Sequence, residues 1–259
     1  MGKGFKGKTC IYCGSAESDT ADHVIARGFF LPGEAENLPK VPACAKCNNE
    51  KSRIEHYLTT VMPFGGQHAA ASETLASLTP PRLEKNQKLH SVLADSIAMM
   101  FTSRDGGPWN PEMTVRIDGK ELERLFGYIA RGLAWHHWNV LFTAEHLVLA
   151  GFVAGLGPKL FEALLSLGVK RREAGNFGGG VFVYEGVQAK ECSELTVWRM
   201  SLYGAQVSGD LRHPLVRCEN AYAITTPRKW PASKMLLAIL GMPDATQANE
   251  LGTLTGFLI

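Results

Sequence analysis

Four pieces of one stretch decide how this chain reads: Cys10-Ile11-Tyr12-Cys13, Thr20-Ala21-Asp22-His23-Val24-Ile25, Glu36-Asn37-Leu38, and Cys44-Ala45-Lys46-Cys47-Asn48-Asn49-Glu50-Lys51. The two Cys-x-x-Cys pairs stand thirty residues apart. A two-residue gap lets both sulfurs of a pair bind one ion, and four thiolates match the tetrahedral preference of Zn²⁺. Cys10, Cys13, Cys44 and Cys47 are therefore expected to hold a structural zinc. Gly14 frees the backbone to turn after the second sulfur. Thr20–Ile25 reads as a short strand on which Asp22 and His23 face opposite sides. Cys44 to Cys47 should open a helix that continues through Asn48, Lys51, Ile54, Tyr57 and Leu58. The dipole at the helix N-terminus helps keep those sulfurs deprotonated.

Knuckle, hairpin and helix together make a small treble-clef, or ββα-metal, unit. About sixty residues lie near the lower limit for an independent core, so a metal staple is physically expected. On these motifs the stretch from residue 10 to about 52 resembles the zinc-stapled HNH endonucleases. That resemblance implies a metal-dependent endonuclease that hydrolyses phosphodiester bonds, with DNA as the favoured nucleic-acid partner. It implies that His23 is the general base and that Asp22 ligates a catalytic divalent cation. It implies that Asn37 fixes the loop carrying the histidine, and that Asn48 is the second protein ligand, its amide oxygen suiting a hard ion such as Mg²⁺. The chemistry would be proton removal from water by the imidazole, with the metal stabilising charge on the phosphate oxygens. An unperturbed imidazole, with a pKa near about 6.5, suits that task at neutral pH.

Further along the same helix, Lys51, Arg53 and His56 are candidate phosphate contacts; a solvated helix face is the alternative for the two basic side chains. A segment of a zinc-stapled fold can also serve as a catalytically inert module that binds nucleic acid or protein. The acid and base placed around one pocket favour the enzyme.

Composition bounds the rest. With 259 residues and 45% hydrophobic content, the chain can build a sizeable core in one or two domains. A formal charge of +2 neither supports nor excludes nucleic acid, since a local patch is what matters. No run of about 18 apolar residues is free of charge, so no membrane span is expected. The N-terminus, Met1 to Lys8, lacks the apolar centre of a signal peptide and reads as a mobile Gly/Lys arm carrying Lys3, Lys6 and Lys8. Six cysteines, four of them in metal-type pairs, fit a reducing, cytoplasmic interior better than a disulfide framework.

The domain plan that follows is a nuclease unit over 1–64, a linker over 65–84, and an α+β domain of unknown role over 85–259. In the last, helices are expected from about Lys85 to Phe101, from Asp118 to about Asn139, over Lys159–Leu167 and over Ala232–Leu240. Asp118 and Glu121 have the spacing of an N-cap and capping box. Met113–Ile117, Val181–Val187, Leu195–Tyr203 and Leu215–Thr225 read as strands of an antiparallel sheet. Lys170-Arg171-Arg172 is expected to be a basic turn, and Gly175–Gly180 a flexible one. Adjacent residues on a helix lie about 100° apart, so His136 and His137 do not readily share a metal, and His136 falls on the apolar stripe. Cys192 and Cys218 read as lone thiols. A homo-oligomer is compatible with this plan.

Overall fold

The computed structural model describes residues 4–102, 107–152, 156–166, 168–208, 217–229 and 257–258. Strands β1 (Thr20–His23) and β2 (Lys40–Ala43) pair antiparallel, with Asp22 opposite Val41 and His23 opposite Lys40. Helix α1 (Ala45–Val61) begins directly after Cys44, whose backbone is extended. Its buried residues Cys47, Lys51, Ile54, Leu58 and Val61 recur every three or four positions, so one face turns inward. The arm is not loose over its described part: the Ser18 N–H bonds the Lys8 carbonyl at 2.7 Å, and Phe5 packs edge-on against Trp135.

The segment expected to be a linker is helical. Helices α2 (Ala69–Ser77) and α3 (Thr79–Lys85) occupy it, with Ala70, Ala71, Thr74 and Thr79 buried. His68 caps α2, its Nδ1 accepting from the Ala70 N–H at 3.2 Å. Small alanines pack closely without giving the wide apolar stripe that marks a helix in sequence. From α3, the Arg82 guanidinium donates to the carbonyls of Thr59 (2.6 Å) and Gly28 (3.0 Å), which ties this segment back to α1.

The helix expected to reach Phe101 stops early. Helix α4 (Gln87–Ser96), capped by Asn86, gives way to strand β3 (Ala98–Thr102), which pairs with β4 (Asn110–Thr114) and sets Met99 opposite Met113. After β5 (Arg116–Ile117) comes α5 (Gly119–Trp138), the longest described helix. Asp118 caps it as expected, Oδ1 accepting from Lys120 N (2.9 Å) and Glu121 N (3.4 Å). The other half of the capping box does not form: the Asp118 N–H goes to the Tyr57 hydroxyl at 2.9 Å, and Glu121 pairs with Arg124 instead. Asn139, in the left-handed region at φ 57°, ends the helix.

Strand β6 (His146–Gly151), which no alternation in the sequence announces, precedes α6 (Leu156–Ser166). Then come β7 (Val169–Phe177), β8 (Phe182–Ala189), β9 (Thr196–Leu202), the short β10 (Val207–Ser208) and β11 (Arg217–Cys218), and β12 (Ala221–Pro227). Five of these form one antiparallel sheet in the order β6-β12-β9-β8-β7. The expected basic and glycine-rich turns are strand β7, and the real turn shrinks to Gly178–Gly180. A pairing partner decides here: β8 supplies a ladder from Phe177 back to Val169. Strand β13 (Phe257–Leu258) joins β10, β11 and β5 in a second, small sheet. The helix expected over Ala232–Leu240 lies outside the described residues. The architecture is thus mixed α+β, with six α-helices among the described residues.

Helix α5 lies between the two halves. Leu122, Leu125, Phe126, Ile129, Ala130 and Leu133 are buried along it. Toward the N-terminal unit, a Cβ on Gly132 would stand 2.7 Å from the Val24 side chain, so only glycine lets helix and strand approach this closely. Toward the large sheet, Trp138 stacks on Trp198 at 4.7 Å. One hydrophobic core runs from Cys10 and Ile11 through α5 to Trp198 and Ala223. His137, not His136, is the partly buried one: its Nε2 meets the Tyr184 hydroxyl at 2.8 Å and its ring stacks over Trp198. No helix among the described residues is long and apolar enough to cross a membrane.

Candidate metal centre and active site

The four cysteines come together. Their sulfurs all lie within 4.8 Å of one another, with Cys10, Cys44 and Cys47 buried and Cys13 half-buried. Local geometry sets each pair: the Gly14 N–H closes on the Cys10 carbonyl at 2.9 Å, and the Asn48 N–H on the Cys44 carbonyl at 3.0 Å. Burial raises the Cys10 thiol and, with the neighbouring sulfurs, raises Cys47 further. Burial also opposes ionisation of Cys13, but the backbone groups of Ala16 and Ser15 outweigh it and bring that thiol to about 6. Four clustered sulfurs of this kind do not all ionise unaided; a soft-accepting dication is what allows it. The donor set, its burial and its spacing fit a metal ion such as zinc, for which metal–sulfur bonds are about 2.3 Å.

Beside this cluster lies a polar seam between β1 and α1. Thr20 and Asp22 project from the same side of β1. Thr20 Oγ1 donates to the Ala43 carbonyl at 2.8 Å and accepts from Asn48 Nδ2 at 3.3 Å. Asp22 Oδ2 accepts from the Tyr12 hydroxyl at 2.6 Å and lies 3.0 Å from Lys51 Nζ. The Lys51 ammonium, fully buried, also donates to the His23 carbonyl at 2.8 Å and pairs with Glu55 one turn along. Asp22 and Asn48, 26 positions apart in sequence, therefore meet the same short seam. Burial pushes the Glu55 carboxyl up to about 7, against the pull of the Lys51 ammonium, with the Asp22 charge adding to the rise.

His23 stands on the other side of β1, half-buried. Burial first, then the charges of Lys40, Arg27 and Lys51, lower its pKa, while Asp22 opposes them. The imidazole is thus kept neutral at neutral pH, the form that can accept a proton. Asn37 lies exposed in the loop before β2, in the left-handed region at φ 54°, a conformation asparagine tolerates better than most residues. No hydrogen bond from its side chain is seen among the described residues.

Of the three expected phosphate contacts, Arg53 and His56 are exposed on α1 and Lys51 is not. Lys51 is corrected to an internal ion-pair residue, because its long stem reaches across the seam to the carboxylate of Asp22. Tyr12, Thr20 and Glu55 were not singled out from sequence. Only Glu55, at i+4 from Lys51, left a signal there. A further open cleft of about 490 Å³ runs beside α1, lined by Arg53, Ile54, Tyr57 and Arg124 among others.

No protein-family model, no curated protein and no solved structure matches this chain.

Proposed function

We propose that this protein is a metal-dependent endonuclease of the HNH type, built on a zinc-stapled treble-clef unit. The observation that carries it is the seam: Asp22 and Asn48 both line it between β1 and α1, and His23, kept neutral, is the next residue of the same strand. Cys10, Cys13, Cys44 and Cys47 hold the structural ion, and Asp22 with Asn48 offers oxygens to a hard divalent ion, Mg²⁺ or similar. Among the described residues, Asp22 meets the Tyr12 hydroxyl and the Lys51 ammonium on Oδ2 and Asn48 donates through Nδ2, so the Oδ1 of each offers itself to such an ion. When bound there, the ion supplies charge stabilisation to the phosphate and the departing 3′-oxygen. His23 accepts the proton of the attacking water. Arg53 and His56, exposed on the same helix, offer phosphate contacts, with DNA as the substrate.

The test is plasmid nicking with and without Mg²⁺. His23→Ala should lower the rate about 10²–10⁴-fold while metal and DNA binding persist. Asp22→Ala and Asn48→Ala should raise the divalent ion concentration required. A His23→Ala protein that nicks at the parent rate removes the proposed base.

One observation favours a second reading, a catalytically inert module that binds nucleic acid or protein. A resident cation, the buried Lys51 ammonium, already neutralises Asp22. A parent protein that binds DNA but fails to cleave it with any divalent ion supplied would support that module over the enzyme.

A further inference from the structure

We propose that Arg131, on α5, is the charge partner of the four-cysteine metal site, so that the site is completed from outside its own unit. This rests on the four cysteines being a metal site. Four thiolates around a dication carry two excess negative charges, and a partly buried cluster does not shed that charge to water.

The structure shows how α5 reaches it. Successive turns of the helix present Tyr128, Arg131, Gly132 and Trp135 to the N-terminal unit. Tyr128 packs edge-on against Tyr12, inside the first cysteine pair, at 5.0 Å, and Gly132 abuts Val24. Trp135 meets Phe5. Between them, Arg131 Nη1 donates to the Phe142 carbonyl at 3.4 Å. That same carbonyl oxygen lies where a Cβ on Gly14, the residue after Cys13, would come within 2.3 Å. The Phe142 carbonyl is thus held between the guanidinium and the first cysteine knuckle. Burial lowers the affinity of Arg131 for its proton, and Tyr128, Cys47, Cys13 and Cys10 act in the opposite direction, the sign expected of a cation beside thiolates. Arginine suits this place, since its fork can bond a carbonyl and still carry a fixed positive charge.

Arg131 is a positioning residue here; it touches no metal. Partners of this kind are worth about 10–100-fold in metal affinity. The experiment uses the full chain loaded with zinc, competed against a colorimetric chelator, and in parallel the sulfur-to-metal absorption band of the Co²⁺ form. Arg131→Gln keeps a donor for the Phe142 carbonyl and removes the charge; Arg131→Lys keeps the charge. We expect Arg131→Gln to bind zinc about 10–100-fold more weakly, with a shifted Co²⁺ band. Arg131→Lys should stay within about threefold of the parent, on the same scale. Parent affinity in Arg131→Gln, or an equal fall in both variants, overturns the proposal. If Arg131→Gln fails to fold, Arg131→Lys decides alone: parent-like zinc retention supports the charge role, and a loss of about tenfold or more overturns it. A parent chain that holds neither zinc nor cobalt defeats the metal reading itself, a result distinct from a parent that binds while Arg131→Gln binds equally well.

Discussion

The N-terminal unit and the five-stranded sheet lie on opposite sides of α5 and are held together by different physics. The first is organised around polar groups: four sulfurs, and a buried ammonium shared by Asp22, Glu55 and the His23 carbonyl. The second is organised around aromatic rings. Trp198 is fully buried, stacks on Trp138, and has Tyr184 and His137 against it. Its one indole N–H is satisfied locally by Thr196 at 2.9 Å. The difference teaches where each half is vulnerable. A unit built on a cluster fit to hold an ion and on paired charges should respond to chelators and to loss of one partner. A unit that depends on ring packing responds to volume.

The largest effect should come from removing the staple. Cys44→Ser, or stripping the metal with a chelator, should open the amides of β1, β2 and the first turns of α1 to hydrogen exchange. The amides of β8 and β9 should keep their protection. If both sets open together, the two halves are one cooperative unit and the contrast drawn above fails.

Next is the buried ammonium. Lys51→Met leaves the Asp22 and Glu55 carboxylates facing each other with no cation between them, at a cost of about 3–5 kcal/mol. Converting both carboxylates to amides in the same chain should return much of that loss. Denaturant melts of the three proteins measure it. A cost below about 1 kcal/mol would mean that water, not Lys51, serves those carboxylates.

The sheet should answer instead to added volume. A Cβ on Gly186 would stand 2.2 Å from the ring of the fully buried Trp198. Gly186→Ala should cost about 1–3 kcal/mol by overpacking and leave zinc retention unchanged. Loss of zinc in this variant would show that strain crosses α5.

The smallest effect concerns α5 itself. Burial, then the charge of Asp118, pushes the Glu123 carboxyl up to about 7, and Lys120 pulls only weakly the other way. The folded state therefore holds this proton more tightly than the unfolded chain does. Its carboxylate costs stability above pH 7, and that cost fades as the pH falls from about 7 toward the ordinary carboxylate value. Glu123→Gln should stabilise the protein by about 1 kcal/mol at pH 8, an allowance for its partial exposure, and change nothing at pH 4. Equal effects at the two pH values would show that the carboxylate titrates normally.

What was legible in the sequence is what short windows carry. The Cys-x-x-Cys spacings fixed which sulfurs would meet, because each pair is set by one local turn. Asp118 announced the start of α5, since an N-cap bonds its own next residues. The alternation in β8 and β9 gave both strands to within about two residues. Tertiary structure alone decided the rest, because the deciding partner lay outside any window. Strand β6 exists through its ladder with β12, some seventy residues on. Residues 169–177 are a strand and not a basic turn because β8 is there to pair. Lys51 is internal because Asp22 waits across the seam and Glu55 one turn along its own helix. Arg131 meets the Phe142 carbonyl beside the first cysteine pair because Gly14 leaves room for that backbone and Gly132 for Val24. Local spacing is written in the covalent chain; the identity of a distant partner is settled only when the core closes.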